Sequence, residues 1–371
     1  MAYVNHEAAL RALQGAAPEM KNGAPNHMPM VIEALAALGR EDTVHQWIER
    51  FGPRMPQGPM TEIALGPDWQ PALGDSTRLG EWQNLFRQEL QASVWREVLE
   101  RWLPRLIPGS MAAGTHGIIR CGHASRALEN EVTPFRLEEL AAALAYCAAR
   151  YRSIDSTPLL AGPLGLEAAT RELPLLEAGI DRQGPPPKIV QRLDELPDFA
   201  WAVSRLAPPA DPFSGLSELA EIGARLYLRD AARYPLVLLH AVTGPAAAHL
   251  LAAHASPRLR STLFAYMWQA VAAWTAAFSR GLSDEQFKAT DESWDEIIDR
   301  SVDSGDDHAI KLTEACRRME ELRPSPVFRA VASDWVRRVI GARDWNSQQL
   351  VAAGIKTRLP DSAAPAIASD G

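Results

Sequence analysis

Cysteine is scarce in this chain: Cys121, Cys147 and Cys316 are the only three in 371 residues. Three cannot build a disulfide framework, their spacing forms no zinc ribbon or CxxC motif, and the count suits a reducing compartment. Long apolar runs are scarce too. The longest nearly apolar stretch, LFAYMWQAVAAWTAAF over 263–278, is short for a membrane span and is broken by Gln269 and Thr275, so it reads as a buried helix. The opening residues, MAYVNHEAALRALQG, have neither the basic start nor the apolar centre of a signal peptide. A cytoplasmic protein without a membrane partner is therefore expected. Excess positive charge is missing as well. A net charge of -8 and a pI near 5.7 argue against a nucleic-acid surface.

Several familiar chemistries are absent. No ExxH pair exists for a ferritin-like di-iron site, and no HD dipeptide for an all-α metal phosphohydrolase. There is no GxGxxG, P-loop, HExxH or GxSxG, so a nicotinamide or flavin site of the usual type has no motif to rest on. Alternating β-branched runs and strand–helix alternation are missing too, which leaves an all-α fold.

What the chain does have is helical periodicity. It predicts helices over 28–38, 42–51, 79–104, 134–152, 214–229, 234–256, 258–280, 308–322, 326–341 and 345–355. Two Pro/Gly-rich stretches, 52–76 and 158–187, interrupt them. The expected organisation is a single large helical domain over 1–355 with long Pro/Gly-rich loops, and a disordered tail over 356–371. Most of the eleven tryptophans belong to its core.

The nine histidines separate by the faces they occupy. His27 opens a helix whose Val31, Ala34, Leu35 and Leu38 continue its stripe, with Asn26 as a cap and Glu33 on the solvent side. His116 and His123 share a face with Arg120; seven residues rise about 10 Å, so one ion cannot easily take both from a straight helix. His240 sits among apolar residues, with Thr243 one turn on and Gly244-Pro245 expected to kink or end the helix. His308 lies on an apolar stripe with Leu312, Ala315, Cys316 and Met319, in a helix capped by Ser304 or Asp306 and ended before Pro324. Lys311 borders that stripe one turn from His308. His6, His45, His249 and His254 read as peripheral or merely packed. For each inward histidine the simple alternative is a hydrogen-bonded core residue. For Lys311 it is a surface-reaching chain or an ion pair with Asp307 or Glu314. Arg120 can pair with an acid or bind a substrate oxygen.

Five segments in order, NHMPMVIEALAALG, DWQPALGDSTRLGEWQ, THGIIRCGHASRAL, LLHAVTGPAAAHLL and DDHAIKLTEA, together resemble the questin oxidase-like family over roughly Asn26 to Ala315. The resemblance implies an oxidoreductase that opens a ring of an anthraquinone or similar polyketide with molecular oxygen. Members have been described as NADPH-requiring Baeyer–Villiger-type oxidases, and at least one relative as a non-haem iron dioxygenase with four histidines and a carboxylated lysine. Carried onto this chain, the ligands are His27, His116, His240 and His308, with Lys311 as the lysine and Fe(II) as the metal. Where fungal members tend to show a second histidine in the central motif, this chain has Arg120, with His123 later. The implied partners are a flat phenolic substrate in a tryptophan-lined cavity, and dioxygen. Arg120 or His123 could bind the substrate's oxygens. NADPH-dependent oxygen insertion, a metal-dependent hydrolase and a non-catalytic helical binding protein are the alternatives.

Overall fold

A computed structural model describes residues 4–341, apart from 60, 178, 181, 183 and 185. Its α-helices run α1 (Val4–Ala12), α2 (Met28–Ala37), α3 (Val44–Phe51), α4 (Leu79–Ala92), α5 (Trp95–Leu106), α6 (His116–Asn130), α7 (Pro134–Ala149), α8 (Leu166–Arg171), α9 (Pro186–Val190), α10 (Phe199–Ser204), α11 (Pro212–Asp230), α12 (Pro235–Leu238), α13 (His240–Ala252), α14 (Pro257–Phe278), α15 (Trp294–Ser304), α16 (Asp307–Leu322) and α17 (Pro326–Gly341). Among the described residues there is no strand, only isolated bridges such as Leu164 to Leu206. The fold is all-α, as the periodicity predicts. The expected helix 345–355 and the tail lie outside the described residues.

The differences from expectation have local causes. The helix expected over 79–104 breaks at Ser93 and Val94, both extended, giving α4 and α5. A helix that periodicity missed, α15, carries its own signals: Ser293 and Glu296 form a capping box, and Gly305 closes the end at φ 64°. The break expected at Gly244-Pro245 comes earlier, between Leu238 and His240, and α13 runs through Pro245. Pro245 has no N–H to offer the Ala241 carbonyl. That carbonyl lies against Gly223 of α11, where a Cβ would come within 2.1 Å of it. Gly122 does the same for α6, where a Cβ would meet the Ala247 carbonyl at 2.6 Å. These two contacts let α13 sit close to both α6 and α11.

Around α13 the core is dense in alanine, with Ala241, Ala246, Ala248, Ala272 and Ala273 fully buried beside Trp268 and Trp274. Among the described residues, one stretch is apolar and long enough to cross a membrane, Pro235–Ala252, and 83% of it is buried within the protein; 263–278 lies in α14 and is largely buried, as expected. On the other side of the site, α2 is buried from Met28 to Ala36 and packs on α6 and α16. Glu33 is part of that buried span, not on the solvent side: it is 1% exposed. A buried carboxylate stands when it is ion-paired, and Glu33 meets Arg126 and His123.

Candidate metal centre

Four histidines reach the centre from the starts of four helices. His27 immediately precedes α2, His116 and His240 are the first residues of α6 and α13, and His308 is the second of α16. The chain works for at least one of these placements. Ala113, Gly114 and Thr115 all have positive φ (47°, 67° and 71°), a costly conformation for β-branched Thr115. The turn brings the Ala113 carbonyl to 2.6 Å from His116 Nδ1. At α16, Asp306 caps the helix by accepting from the Ala309 N–H at 2.7 Å.

The ring nitrogens converge. His27 Nε2 is 2.8 Å from His116 Nε2, which is 3.3 Å from His240 Nε2. The His27 and His116 rings stack 4.8 Å apart, and His308 meets His27 edge-on at 4.6 Å between ring centres. His27, His116 and His308 bring one ring nitrogen each within 4.8 Å of one another, a spacing that could hold a metal ion.

The opposite edges decide which nitrogen carries the proton. Carbonyls only accept, so the Nδ1 of His116 donates to Ala113, and that of His240 donates to Leu236 at 2.9 Å and Val237 at 3.2 Å. Burial first, then neighbouring positive charge including Lys311, pushes the His240 pKa down to about 3 and that of His116 well below its usual value. Both rings are neutral near pH 7. Their Nε2 atoms then present lone pairs to each other at 3.3 Å, which repel unless a cation stands between them. Asp307 does for His27 what the carbonyls do for the others, its Oδ2 lying 2.7 Å from His27 Nδ1, while its Oδ1 makes an electrostatic contact with His308 Nδ1 at 2.8 Å. Carboxylates and carbonyls behind imidazoles are the usual outer shell of a metal site. The donor set fits a borderline metal such as iron or zinc.

Beside the histidines lies a cavity of about 10 Å³, walled by His240, His308, Lys311, His123, Glu314 and Arg318, with Ile119 and Leu239 among its apolar lining. It is room for about one water-sized molecule. No tryptophan lines it, contrary to expectation; Trp274 and Trp335 stand behind the rings, 6.3 Å from His240 and 6.0 Å from His308. Lys311 is 5% exposed and so inward.

The remaining candidates separate. His123 lines the cavity and faces Glu33 at 2.5 Å. Arg120 does not line it. Its guanidinium lies flat on Glu139 of α7, at 2.6 and 2.7 Å, which answers its burial with an ion pair. His6 and His249 are buried, His254 packs on Trp95, and His45 is exposed beside Glu49. Two residues escaped the reading of the sequence. Asp307 looked like one more acid in a helix's first turn, and its signal was its place directly before His308. Glu33 had no signal, because its partners lie 90 and more residues away.

Among the described residues the all-helical fold thus buries a cluster of convergent imidazoles, three of them hydrogen-bonded from behind, that could bind a metal ion. The chain belongs to the questin oxidase-like family, whose model matches residues 25–316. Membership suggests an oxidoreductase. No curated protein gives a significant match to the chain.

Proposed function

We propose that the protein is a non-haem metal-dependent oxygenase, with Fe(II) as its metal, that oxidises or ring-opens a flat phenolic polyketide with dioxygen. The observation that carries this reading is the facing Nε2 atoms of His27, His116 and His240, whose Nδ1 atoms are all committed to oxygen partners. His27, His116, His240 and His308 would hold the ion. Lys311, on the cavity wall one turn from His308, would add an oxygen donor once its amine takes up carbon dioxide as a carbamate. Four helix N-termini pointing at the site favour a negative group there, which suits a carbamate better than an ammonium. An iron ion held by these residues would supply the redox chemistry that a reaction between dioxygen and a closed-shell ring requires. The chain's own residues would do the rest: Asp307 and the Ala113 and Leu236 carbonyls fix the imidazoles, and His123 meets the substrate's oxygen. The cavity as it stands admits a molecule of dioxygen's size, so the aromatic ring would enter by displacing side chains of the wall.

Elemental analysis tests this. About one iron per chain is expected after anaerobic Fe(II) loading, with loss in His308→Ala and a partial loss in Lys311→Ala. Oxygen uptake on adding questin separates an oxygenase from a hydrolase. An unloaded wild type under those conditions would sink the reading.

A further inference from the structure

The wall of the cavity that His240, His308 and Lys311 share carries a second device. His123 forms part of it, and its Nδ1 lies 2.5 Å from Glu33 Oε2. Glu33 does not touch this cavity. It borders a neighbouring hollow with His6 and Arg136, and His123 stands between the two. The edge of His123 turned away from Glu33 is therefore the edge that meets the cavity, and it carries Nε2.

The protonation pattern follows from the partners. Arg126 forks onto Glu33, Nε to Oε1 at 2.6 Å and Nη2 to Oε2 at 2.5 Å. Burial alone would raise the Glu33 carboxyl, but Arg126 and then His123 overcome it and hold Glu33 far below the usual carboxylate range. Glu33 is thus a permanent acceptor, and the His123 Nδ1 must donate to it. In the neutral ring the lone pair is on Nε2, facing the cavity. When that ring gains a proton, the buried carboxylate already beside it balances the charge. A carboxylate behind an imidazole with its basic nitrogen turned into a cavity is the geometry of a general base.

We propose that His123, held by Glu33, is the catalytic base that takes the proton from an acidic hydroxyl of the bound substrate, a role resting on the reading of that substrate as a phenol. The O–H bond breaks, an N–H bond forms at Nε2, and the electron pair stays on oxygen. The resulting phenolate is the more electron-rich ring, and so the better partner for an oxidant. Glu33 is a positioning residue in this scheme, and Arg126 keeps it ionised.

The test uses para-nitrophenol, colourless as the phenol and yellow as the phenolate, with the full-length protein as purified, under anaerobic conditions and at a pH where the free dye is mostly protonated. Metal is quantified in the same samples. His123→Gln is the chosen variant because its amide can still donate to Glu33 and keep the buried carboxylate satisfied. Wild type is expected to bind the dye as phenolate. His123→Gln, with the same metal content and melting temperature, is expected to bind it with the ionised-to-neutral ratio lowered at least about tenfold. Phenolate retained in His123→Gln would place the base elsewhere and overturn the proposal. Metal lost in His123→Gln would put the histidine among the ligands and overturn it too. So would failure of the wild type to bind the dye. A wild type that ionises the dye but takes up no metal would instead overturn the oxygenase reading and leave the base standing.

Discussion

Helices α2, α6 and α16 each contribute to two buried polar clusters. At or just before the first turn they place His27, His116 and His308; further along they place Glu33, His123 with Arg126, and Glu314 with Arg318. In the second cluster opposite charges meet. Arg126 bonds both Glu33 and Glu314, and Arg318 reaches Glu314 at 2.9 Å and the Ala246 carbonyl at 3.0 Å. In the first cluster, like groups meet: imidazole nitrogens approach to 2.8 and 3.3 Å with their donors spent elsewhere. A buried polar group costs stability unless it is paired. The charged cluster is therefore complete as a structural tie between three helices, and the histidine cluster is one that could hold a cation.

Breaking the charged cluster is the largest expected effect. Arg126→Met leaves two buried carboxylates short of their shared guanidinium, and a loss of about 3–5 kcal/mol is expected from urea unfolding. His240→Ala in the metal-free protein removes a ring that faces another lone pair, so a much smaller loss is expected. A similar loss in both variants would erase the distinction between the clusters. Adding metal closes most of that gap relative to wild type. At a thousandfold excess over its Kd, an ion bound only by the folded chain stabilises it by about 4 kcal/mol. A corresponding rise in Tm is expected for wild type and Arg126→Met, and none for His240→Ala.

The same contrast shows how much of the site was legible in the sequence. His27 and His308 each stood on an apolar stripe and His240 among apolar residues, but His116 shared its face with Arg120 and His123, and it was the family resemblance that grouped the four; the structure brings them together. Most helices followed from the 3.6-residue period. The rest depended on contacts between distant segments. Glu33 appeared exposed because periodicity assigns a charge to solvent; only Arg126, 93 residues on, explains its burial. Arg120 could pair with an acid or bind a substrate oxygen, and the acid it meets, Glu139, lies on another helix. The early start of α13 depended on Gly223 of another helix accepting a carbonyl at close range. The missed α15 is different: its Ser293-x-x-Glu296 box and Gly305 were in plain view, and the period alone was the wrong signal to follow.

Acid separates the two clusters by window. His240, whose pKa falls from 6.5 to about 3 on folding, is neutral in the folded chain and protonated in the unfolded chain between those values. Its contribution to stability is whole above pH 6.5 and is lost as pH falls toward 3. Glu314 is pulled from 4.5 to about 2, against the upward push of burial, by Arg126 and Arg318. Its contribution is whole above pH 4.5 and is lost as pH falls toward 2. At about 1.4 kcal/mol per pKa unit, each is worth several kcal/mol. Unfolding midpoints of the metal-free protein from pH 7 to 3 should decline in both windows. His240→Ala should flatten the upper part of that decline and Glu314→Gln the lower, whereas crossed or absent effects would reject the assignment.

Asp307 gives the finest test, because it belongs to the histidine cluster and yet carries charge. Its Oδ2 holds His27 Nδ1 at 2.7 Å, and its Oδ1 lies against His308 Nδ1 at 2.8 Å as an electrostatic contact. Asp307→Asn keeps the shape but can place an NH₂ donor where His27 Nδ1 needs an acceptor, so that imidazole loses its partner or turns over. Both rings also lose the nearby negative charge that makes them better ligands. A fall in metal affinity of about ten- to a hundredfold is expected from competition with a chelator, alongside little change in the unfolding of the metal-free protein. Asp307 lies in the first turn of α16, where a negative charge also favours the helix, and Asn would forgo that through-helix term of about 0.3–1 kcal/mol. If Asp307→Asn destabilised the metal-free chain by that amount and left metal affinity unchanged, Asp307 would be a helix residue that happens to touch two histidines, and the outer shell drawn here would shrink to the carbonyls.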